Sequence, residues 1–171
     1  SQGFVNLLKP FGNEVSAFSP SVPDSIFEDF GVNRSPSLES LFSENDVIVE
    51  LAALTPKTKG IITENLLRSM PKDAAFVNLG RGAVVNEDGL ARVARERPDI
   101  QVALDVFGVE PLPLDSPFRG MKNVFLLPHL AGPTIDRRRD AADHGLENVR
   151  RYFAGEELID PYNLNLYDRA T

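Results

Sequence analysis

The sequence predicts an α/β fold in which helices cover both faces of a parallel sheet. From Glu14 onward, short runs of β-forming residues alternate with segments of helical periodicity, which is typical of this class. Several of the β-forming runs are also apolar enough for burial on both faces. A chain of 171 residues, of which 42% are hydrophobic, fits one domain with its own core.

Five runs predict strands, and the segments between them predict crossover helices. The strands are expected at residues 14–18, 46–51, 75–79, 101–106 and 124–127, and they should form the middle of the sheet. Helices are expected at residues 24–30, 38–44, 64–70 and 87–95, the last three after the N-cap residues Ser37, Thr63 and Asn86. A longer helix is expected at residues 136–153, and Gly155 should end it.

The beginning of the sequence departs from this pattern. Residues 2–11 predict a helix that ends at Gly12, whereas a Rossmann-like doubly wound sheet opens with a strand and a glycine-rich turn that holds a pyrophosphate. We therefore expect the fold to lack its first strand and that turn. On this interpretation residues 1–155 form an incomplete dinucleotide-binding domain, and residues 156–171 form an irregular C-terminal tail.

The composition argues against several classes of function. The 25 acidic residues outnumber the 18 basic ones, and the resulting net charge of −7 argues against nucleic acid as a partner. The absence of cysteine excludes disulfides and thiolate metal sites, so we expect no bound metal. No apolar run has the length of a transmembrane helix, and the sequence therefore predicts a soluble, cytoplasmic protein with no membrane partner.

Three predicted strands are each followed by a side chain that can carry chemistry. Arg81 stands between two glycines, Glu110 follows the strand that ends near Asp105, and His129 follows the last strand. In an open parallel sheet these positions share the carboxyl edge, where ligands bind. These residues also have ordinary structural interpretations. Arg81 could be a solvated turn arginine, Glu110 a surface glutamate and His129 a structural histidine. Asp105 could cap a turn. The set of three at separate strand ends favours a site, since guanidinium matches a carboxylate and imidazole exchanges protons near neutral pH.

The same residues carry a family resemblance. Residues 78–85, 104–112 and 123–132 resemble, in order and spacing, the signature blocks of the D-isomer-specific 2-hydroxyacid dehydrogenases. Residues 9–12 and 54–60 resemble two further segments of that family. Glu110 followed by Pro111 is similar to the hydroxyacid dehydrogenases, because the related formate dehydrogenases are expected to have glutamine in place of the glutamate.

The resemblance implies an oxidoreductase that transfers a hydride between a nicotinamide cofactor, NAD or NADP, and a small 2-hydroxy or 2-keto acid. In this reaction Arg81 binds the substrate carboxylate and carbonyl, His129 is the acid/base, and Glu110 pairs with His129 so that a proton stays available near pH 7. The resemblance further implies a homodimer. Because the family's separate catalytic domain has no counterpart in these residues, we expect the chain alone to be inactive.

The resemblance also places the cofactor along this edge, with Asp105 at the nicotinamide carboxamide. Ser19 stands where NAD-preferring relatives have an aspartate, which relaxes discrimination against a 2′-phosphate. Residues 19–24 contain no arginine, so the choice between NAD and NADP stays open. The expected cofactor contacts are Ser19, Leu54, Thr55, Leu79, Gly80, Arg81, Asp105, His129, Ala131 and Gly132.

Two other functions remain open on the sequence. The first is a non-catalytic nucleotide-binding or dimerisation module of the same fold, against which the presence of Arg81, Glu110 and His129 argues. The second is another dinucleotide-binding protein, such as a homocysteine hydrolase, which would need different residues at the strand ends.

Overall fold

The computed structural model describes residues 2–132 and 134–161, and six helices and six strands lie within them. In chain order these are α1 (Gln2–Leu8), β1 (Ser16–Ala17), α2 (Asp24–Phe30), β2 (Asn33–Arg34), α3 (Leu38–Glu44), β3 (Val47–Glu50), α4 (Glu64–Arg68), β4 (Ala75–Asn78), α5 (Glu87–Glu96), β5 (Gln101–Leu104), β6 (Val124–Leu126) and α6 (Ile135–Ala154). Short 3₁₀ helices follow α1 at Lys9–Phe11 and β4 at Gly82–Val84.

The strands form two parallel sheets. β3, β4, β5 and β6 pair in that order, with Glu50 opposite Asn78 and Asn78 opposite Leu104 at the carboxyl edge. The α/β class and the parallel sheet are therefore confirmed. The prediction that residues 14–18 lie in the middle of the same sheet is wrong, because β1 pairs with β2 in a separate two-stranded sheet. β2 escapes prediction since two polar residues carry no strand signal.

Helices α3, α4 and α5 cover one face of the four-stranded sheet. Alternate strand side chains point into this layer, and Phe42 of α3, Leu67 of α4 and Leu90 of α5 are almost fully buried against Phe76 and its neighbours. The opposite face is more open. It carries a groove of about 310 Å³, and the Val47 and Phe125 residues on the sheet are 58% and 63% exposed.

The helix ends follow the predicted capping residues. The side-chain oxygens of Ser37, Thr63 and Asn86 accept hydrogen bonds from backbone N–H groups in the first turns of α3, α4 and α5, so all three N-caps are confirmed. Gly12 and Gly155 adopt left-handed φ values of 68° and 71° where the first and last helical segments end.

The C-terminal segment begins with irregular structure. Residues 156–161 contain no helix or strand, and Asn148 of α6 holds Ile159 through bonds of 2.8 and 3.0 Å to its backbone N–H and carbonyl. Ser1 and residues 162–171, which belong to the predicted domain and tail, lie outside the described residues. None of the helices in residues 2–132 and 134–161 is both long and apolar enough to cross a bilayer.

Candidate active site

The residues that the sequence singles out lie beyond the carboxyl ends of neighbouring parallel strands. Arg81 follows β4, Asp105 follows β5 directly, and His129 follows β6. The register of these strands aligns their ends, so the three loops stand side by side at one edge of the sheet.

Glu110 and His129 contact each other at this edge. Oε2 of Glu110 lies 2.7 Å from Nδ1 of His129, and the other carboxylate oxygen accepts the Phe107 N–H at 3.0 Å. These two hydrogen bonds, chiefly the one with His129, hold the pKa of the Glu110 carboxyl below its usual range. The side chains of His129 and Glu110 are 46% and 36% exposed, so the pair faces solvent. It borders an open cavity of about 610 Å³.

The His129 loop is held from beneath by Asp105. This carboxylate is 1% exposed, and its two oxygens accept the backbone N–H groups of Leu130 and Ala131, each at 2.7 Å. His129 itself has a φ of 54°, in the left-handed region that non-glycine residues rarely adopt. Asp105 therefore fixes the peptide groups that follow a strained histidine. Its predicted contact with the nicotinamide carboxamide stays a prediction.

The turn that carries Arg81 packs directly against the loop that leads to Glu110. Gly82 has no room for a side chain, since a Cβ there would lie 2.0 Å from the carbonyl carbon of Phe107. Glu87, at the start of α5, accepts the Gly108 N–H at 2.7 Å from the other side. Burial raises the pKa of the Glu87 carboxyl, and the nearby charges of Asp88 and Glu110 add to this shift. A continuous chain of contacts thus links the Arg81 turn to Glu110 and His129.

One of the loops expected to line the cofactor is held by its own hydrogen bonds. Thr58 accepts the Thr55 N–H at 2.7 Å and donates its hydroxyl proton to the Ala53 carbonyl at 2.7 Å, which closes the loop around Leu54. Gly132 has open space around its Cα. No role in cofactor binding follows from these contacts alone, and the roles of Leu54, Thr55 and Gly132 stay predictions.

Arg34 lies beside Ser19, although 15 residues separate them in the sequence. From β2, its guanidinium donates to the carbonyls of Ser19, at 3.1 Å, and of Val22. It also contacts an Asp24 carboxylate oxygen at 2.6 Å and lies 4.0 Å from the centre of the Phe27 ring. An arginine thus lies beside Ser19 although residues 19–24 contain none. Because the two polar residues of β2 carry no strand signal, the sequence alone does not indicate this contact.

Comparison with known proteins identifies the family of the chain. Residues 1–131 match the family model of the D-isomer specific 2-hydroxyacid dehydrogenase NAD-binding domain. The chain belongs to this family.

Relatives of known name or structure cover most of the chain. Glyoxylate reductase of Aeropyrum pernix is 36% identical over 86% of the chain, and D-3-phosphoglycerate dehydrogenase of Methanocaldococcus jannaschii is 32% identical over 95% of it. The D-isomer specific 2-hydroxyacid dehydrogenase of Xanthobacter autotrophicus Py2, solved with NADPH and MES, is 34% identical over 93% of the chain, with a TM-score of 0.75. The chain spans 44%, 31% and 49% of the lengths of these three family members.

The pairing of Glu110 with His129 predicts a measurable acid titration for this family member. Because the folded-state pKa of Glu110 is lowered, the stabilisation from the pair is present above the ordinary value of 4.5 and is lost as the pH falls through the lowered pKa. In a ¹³C NMR titration we expect the Glu110 carboxyl midpoint below 4.5, and a shift back toward 4.5 in His129→Ala. His144→Ala, which changes the other histidine, should leave the midpoint unchanged. An unshifted midpoint in the unaltered chain would contradict the pairing.

Proposed function

We propose that this chain is the cofactor-binding part of an NAD(P)-dependent oxidoreductase that acts on small 2-hydroxy or 2-keto acids, with residues 1–155 as the folded unit. The observation that carries the proposal is the 2.7 Å contact between Glu110 and His129 beside the Arg81 turn. A guanidinium for a carboxylate and an imidazole backed by a carboxylate for a proton are the groups that reduction of a 2-keto acid requires.

Each side chain has a defined part in this proposal. The Arg81 guanidinium binds and orients the substrate carboxylate and carbonyl oxygen. Because Nδ1 of His129 is engaged by Glu110, Nε2 is the atom that gives the proton to the carbonyl oxygen in reduction and takes it back in oxidation. Glu110 accepts the Nδ1 hydrogen bond of His129 and so orients its ring, as a carboxylate does for other catalytic histidines. A bound nicotinamide cofactor supplies or accepts the hydride at the substrate carbon.

The loops at the sheet edge fit a nicotinamide cofactor. Ser19 offers a hydroxyl rather than a carboxylate after β1, and Arg34 places a positive charge beside it. The structure of the Xanthobacter autotrophicus Py2 relative in complex with NADPH supports a nicotinamide cofactor for this chain. We propose NADP(H) as the preferred form, because a guanidinium near the ribose attracts a 2′-phosphate that an aspartate would repel.

The cofactor preference has a direct test. In calorimetric titrations, Arg34→Ala should weaken NADPH binding by about tenfold, which is the loss expected for a charged hydrogen bond, and should change NADH binding little. Asp24→Asn, which removes the carboxylate that competes for the guanidinium, should strengthen NADPH binding. Arg137→Ala, at an exposed arginine of α6, is the control. An equal loss of NADH and NADPH affinity in Arg34→Ala would contradict the preference.

The activity itself is tested on the chain and its variants. We expect the chain to bind NADPH or NADH, and oxamate, a mimic of a small 2-keto acid, to bind the cofactor-loaded chain. Arg81→Ala should abolish oxamate binding, whereas Arg95→Ala, on the exposed face of α5, should not. Failure to bind either cofactor would refute the proposal. Cofactor binding without any oxamate binding would favour the non-catalytic nucleotide-binding module.

We also propose that the chain alone does not sustain turnover. The exposure of His129 and Glu110 to solvent supports this, because a water-filled site weakens the electrostatic contribution of both side chains. Sustained reduction of glyoxylate or hydroxypyruvate by the purified chain would contradict it.

We further propose that the chain forms a homodimer and that the protein is cytoplasmic. Leu146, Val149 and Phe153 form an apolar stripe at helical spacing on α6 and are more than half exposed, which supports a protein partner. The absence of cysteine fits a reducing compartment. The net charge of −7 supports a function without nucleic acid. Sedimentation equilibrium tests the dimer, which a monomer at micromolar concentration would contradict.

A further inference from the structure

Two buried polar residues stand opposite each other in the core-facing layer at the end of β3 and β4. Glu50 and Asn78 are register partners and are 5% and 1% exposed. Core-facing positions of a helix-covered sheet normally carry apolar side chains, because a buried polar group is costly unless it is hydrogen-bonded. The hydrogen-bond partners of Glu50 and Asn78 therefore indicate the role of these two side chains.

Both side chains bind the backbone around Arg81. The Asn78 amide oxygen accepts the Gly80 N–H at 3.2 Å, and its NH₂ group donates to the Arg81 carbonyl at 3.3 Å. The Glu50 carboxylate accepts the Arg81 N–H at 3.4 Å with one oxygen and the Ala52 N–H with the other. The peptide groups on both sides of the Arg81 Cα are thus held by side chains from two strands.

The held backbone in turn orients the guanidinium. Nη1 of Arg81 donates to the Gly80 carbonyl at 2.8 Å, so the direction of this peptide sets where the side chain points. The fit between turn and carboxylate is close, since a Cβ at Gly80 would lie 2.1 Å from Oε2 of Glu50. Gly80 is needed because Glu50 occupies the space beneath it. Burial raises the pKa of the Glu50 carboxyl, and the N–H groups that it accepts oppose this shift.

We propose that Glu50 is a positioning residue that fixes the Arg81 backbone and so aims the guanidinium at the substrate carboxylate. This inference rests on the proposed function for the identity of the substrate, although the positioning itself can be measured without it. The charge matters as well as the shape, because only a carboxylate can accept from both backbone N–H groups without presenting a donor to either of them.

Amide hydrogen exchange tests the positioning directly. Glu50→Gln keeps the size of the side chain but replaces one acceptor oxygen with an NH₂ donor. The Arg81 N–H should therefore exchange its hydrogen with solvent about tenfold faster or more. The amides of β5 should keep their protection. Glu39→Gln, at an exposed position of α3, is the matched control. Unchanged exchange at Arg81 would overturn the proposal, as would an increase that extends equally to β5, since Glu50 would then be a general structural residue.

A second readout concerns ligand binding. In the NADPH-loaded chain, Glu50→Gln should weaken oxamate binding by about tenfold, since Arg81 no longer keeps its orientation. Retained oxamate affinity would overturn the proposal. If the unaltered chain does not bind oxamate, the proposed function fails, and the exchange of the Arg81 N–H alone then supports or overturns the positioning role.

A double variant covers the possibility that Glu50→Gln does not fold. Gly80→Ala alone should displace the carboxylate, because the added methyl group occupies its place. In the Glu50→Ala chain the carboxylate is absent, so adding Gly80→Ala should cost clearly less thermal stability than it does in the unaltered chain, while the Arg81 N–H stays unprotected. An equal cost of Gly80→Ala in the two chains would show that Glu50 does not occupy the space beneath the turn, which overturns the proposal.

Discussion

Replacing Gly82 with alanine is expected to destabilise the chain by about 3 kcal/mol or more, at the upper end of overpacking effects. The added Cβ would lie 2.0 Å from the carbonyl carbon of Phe107 and 2.3 Å from the Gly108 nitrogen. These are backbone atoms of a loop between β5 and Glu110, so they cannot rotate away as a side chain could. Either the Arg81 turn or the Glu110 loop must move, and urea unfolding measures the cost.

Other glycines of the chain provide graded controls for this substitution. Gly108→Ala meets the Glu87 carboxylate at 2.9 Å, and because this is the end of a flexible side chain the cost should be clearly smaller. Gly145→Ala, within α6 and with nothing near its Cα, should stabilise the chain by up to about 1 kcal/mol through helix propensity. If Gly82→Ala unfolds at the same urea concentration as the Gly145 variant, the close approach of the two loops is wrong.

The positions of Arg81, Glu110 and His129 were accessible from the sequence because they depend on element order. A parallel sheet places the carboxyl ends of its strands at a common edge, so a residue in the loop after a strand can be assigned to that edge without knowledge of long-range contacts. The same holds for the caps Ser37 and Asn86, whose hydrogen bonds reach only three residues along the chain. Local rules predict such features.

The supporting residues were not accessible in this way. The bond from the Arg81 N–H to Glu50 spans 31 residues, and that from Gly108 to Glu87 spans 21. In the sequence both glutamates resemble ordinary surface charges, because nothing local indicates that Glu50 is buried or that Glu87 is half-buried. Arg34 escaped prediction for a related reason, since β2 has only two residues and its pairing with β1 brings the guanidinium back to Ser19. Side-chain contacts between distant segments require the coordinates.

Replacing Asp105 with asparagine is expected to destabilise the chain by about 2–4 kcal/mol, because the variant leaves one buried N–H unsatisfied and weakens the remaining hydrogen bond by removing the negative charge. The carboxylate accepts two backbone N–H groups, from Leu130 and Ala131, at 2.7 Å each. An amide offers one oxygen and must turn its NH₂ group toward the second N–H, so one of the two bonds is lost and two donors face each other. Urea unfolding of this variant measures the loss, and Asp115→Asn, at an exposed position, should change stability by no more than about 0.5 kcal/mol.

The same substitution should also separate His129 from Glu110. The left-handed backbone of His129, with its φ of 54°, costs about 1–2 kcal/mol relative to a right-handed conformation and persists only while the following peptides are held. Once Asp105 no longer holds them, the backbone relaxes and the imidazole moves away from Glu110. The hydrogen bond with His129 is the largest cause of the low Glu110 pKa, so its loss should outweigh the loss of the Asp105 charge, which raises that pKa, and the Glu110 carboxyl midpoint should rise toward 4.5. A midpoint that stays low in Asp105→Asn would mean that the histidine keeps its place without this carboxylate. Stability and titration therefore test two consequences of one pair of hydrogen bonds, and only the titration reports on the contact between Glu110 and His129.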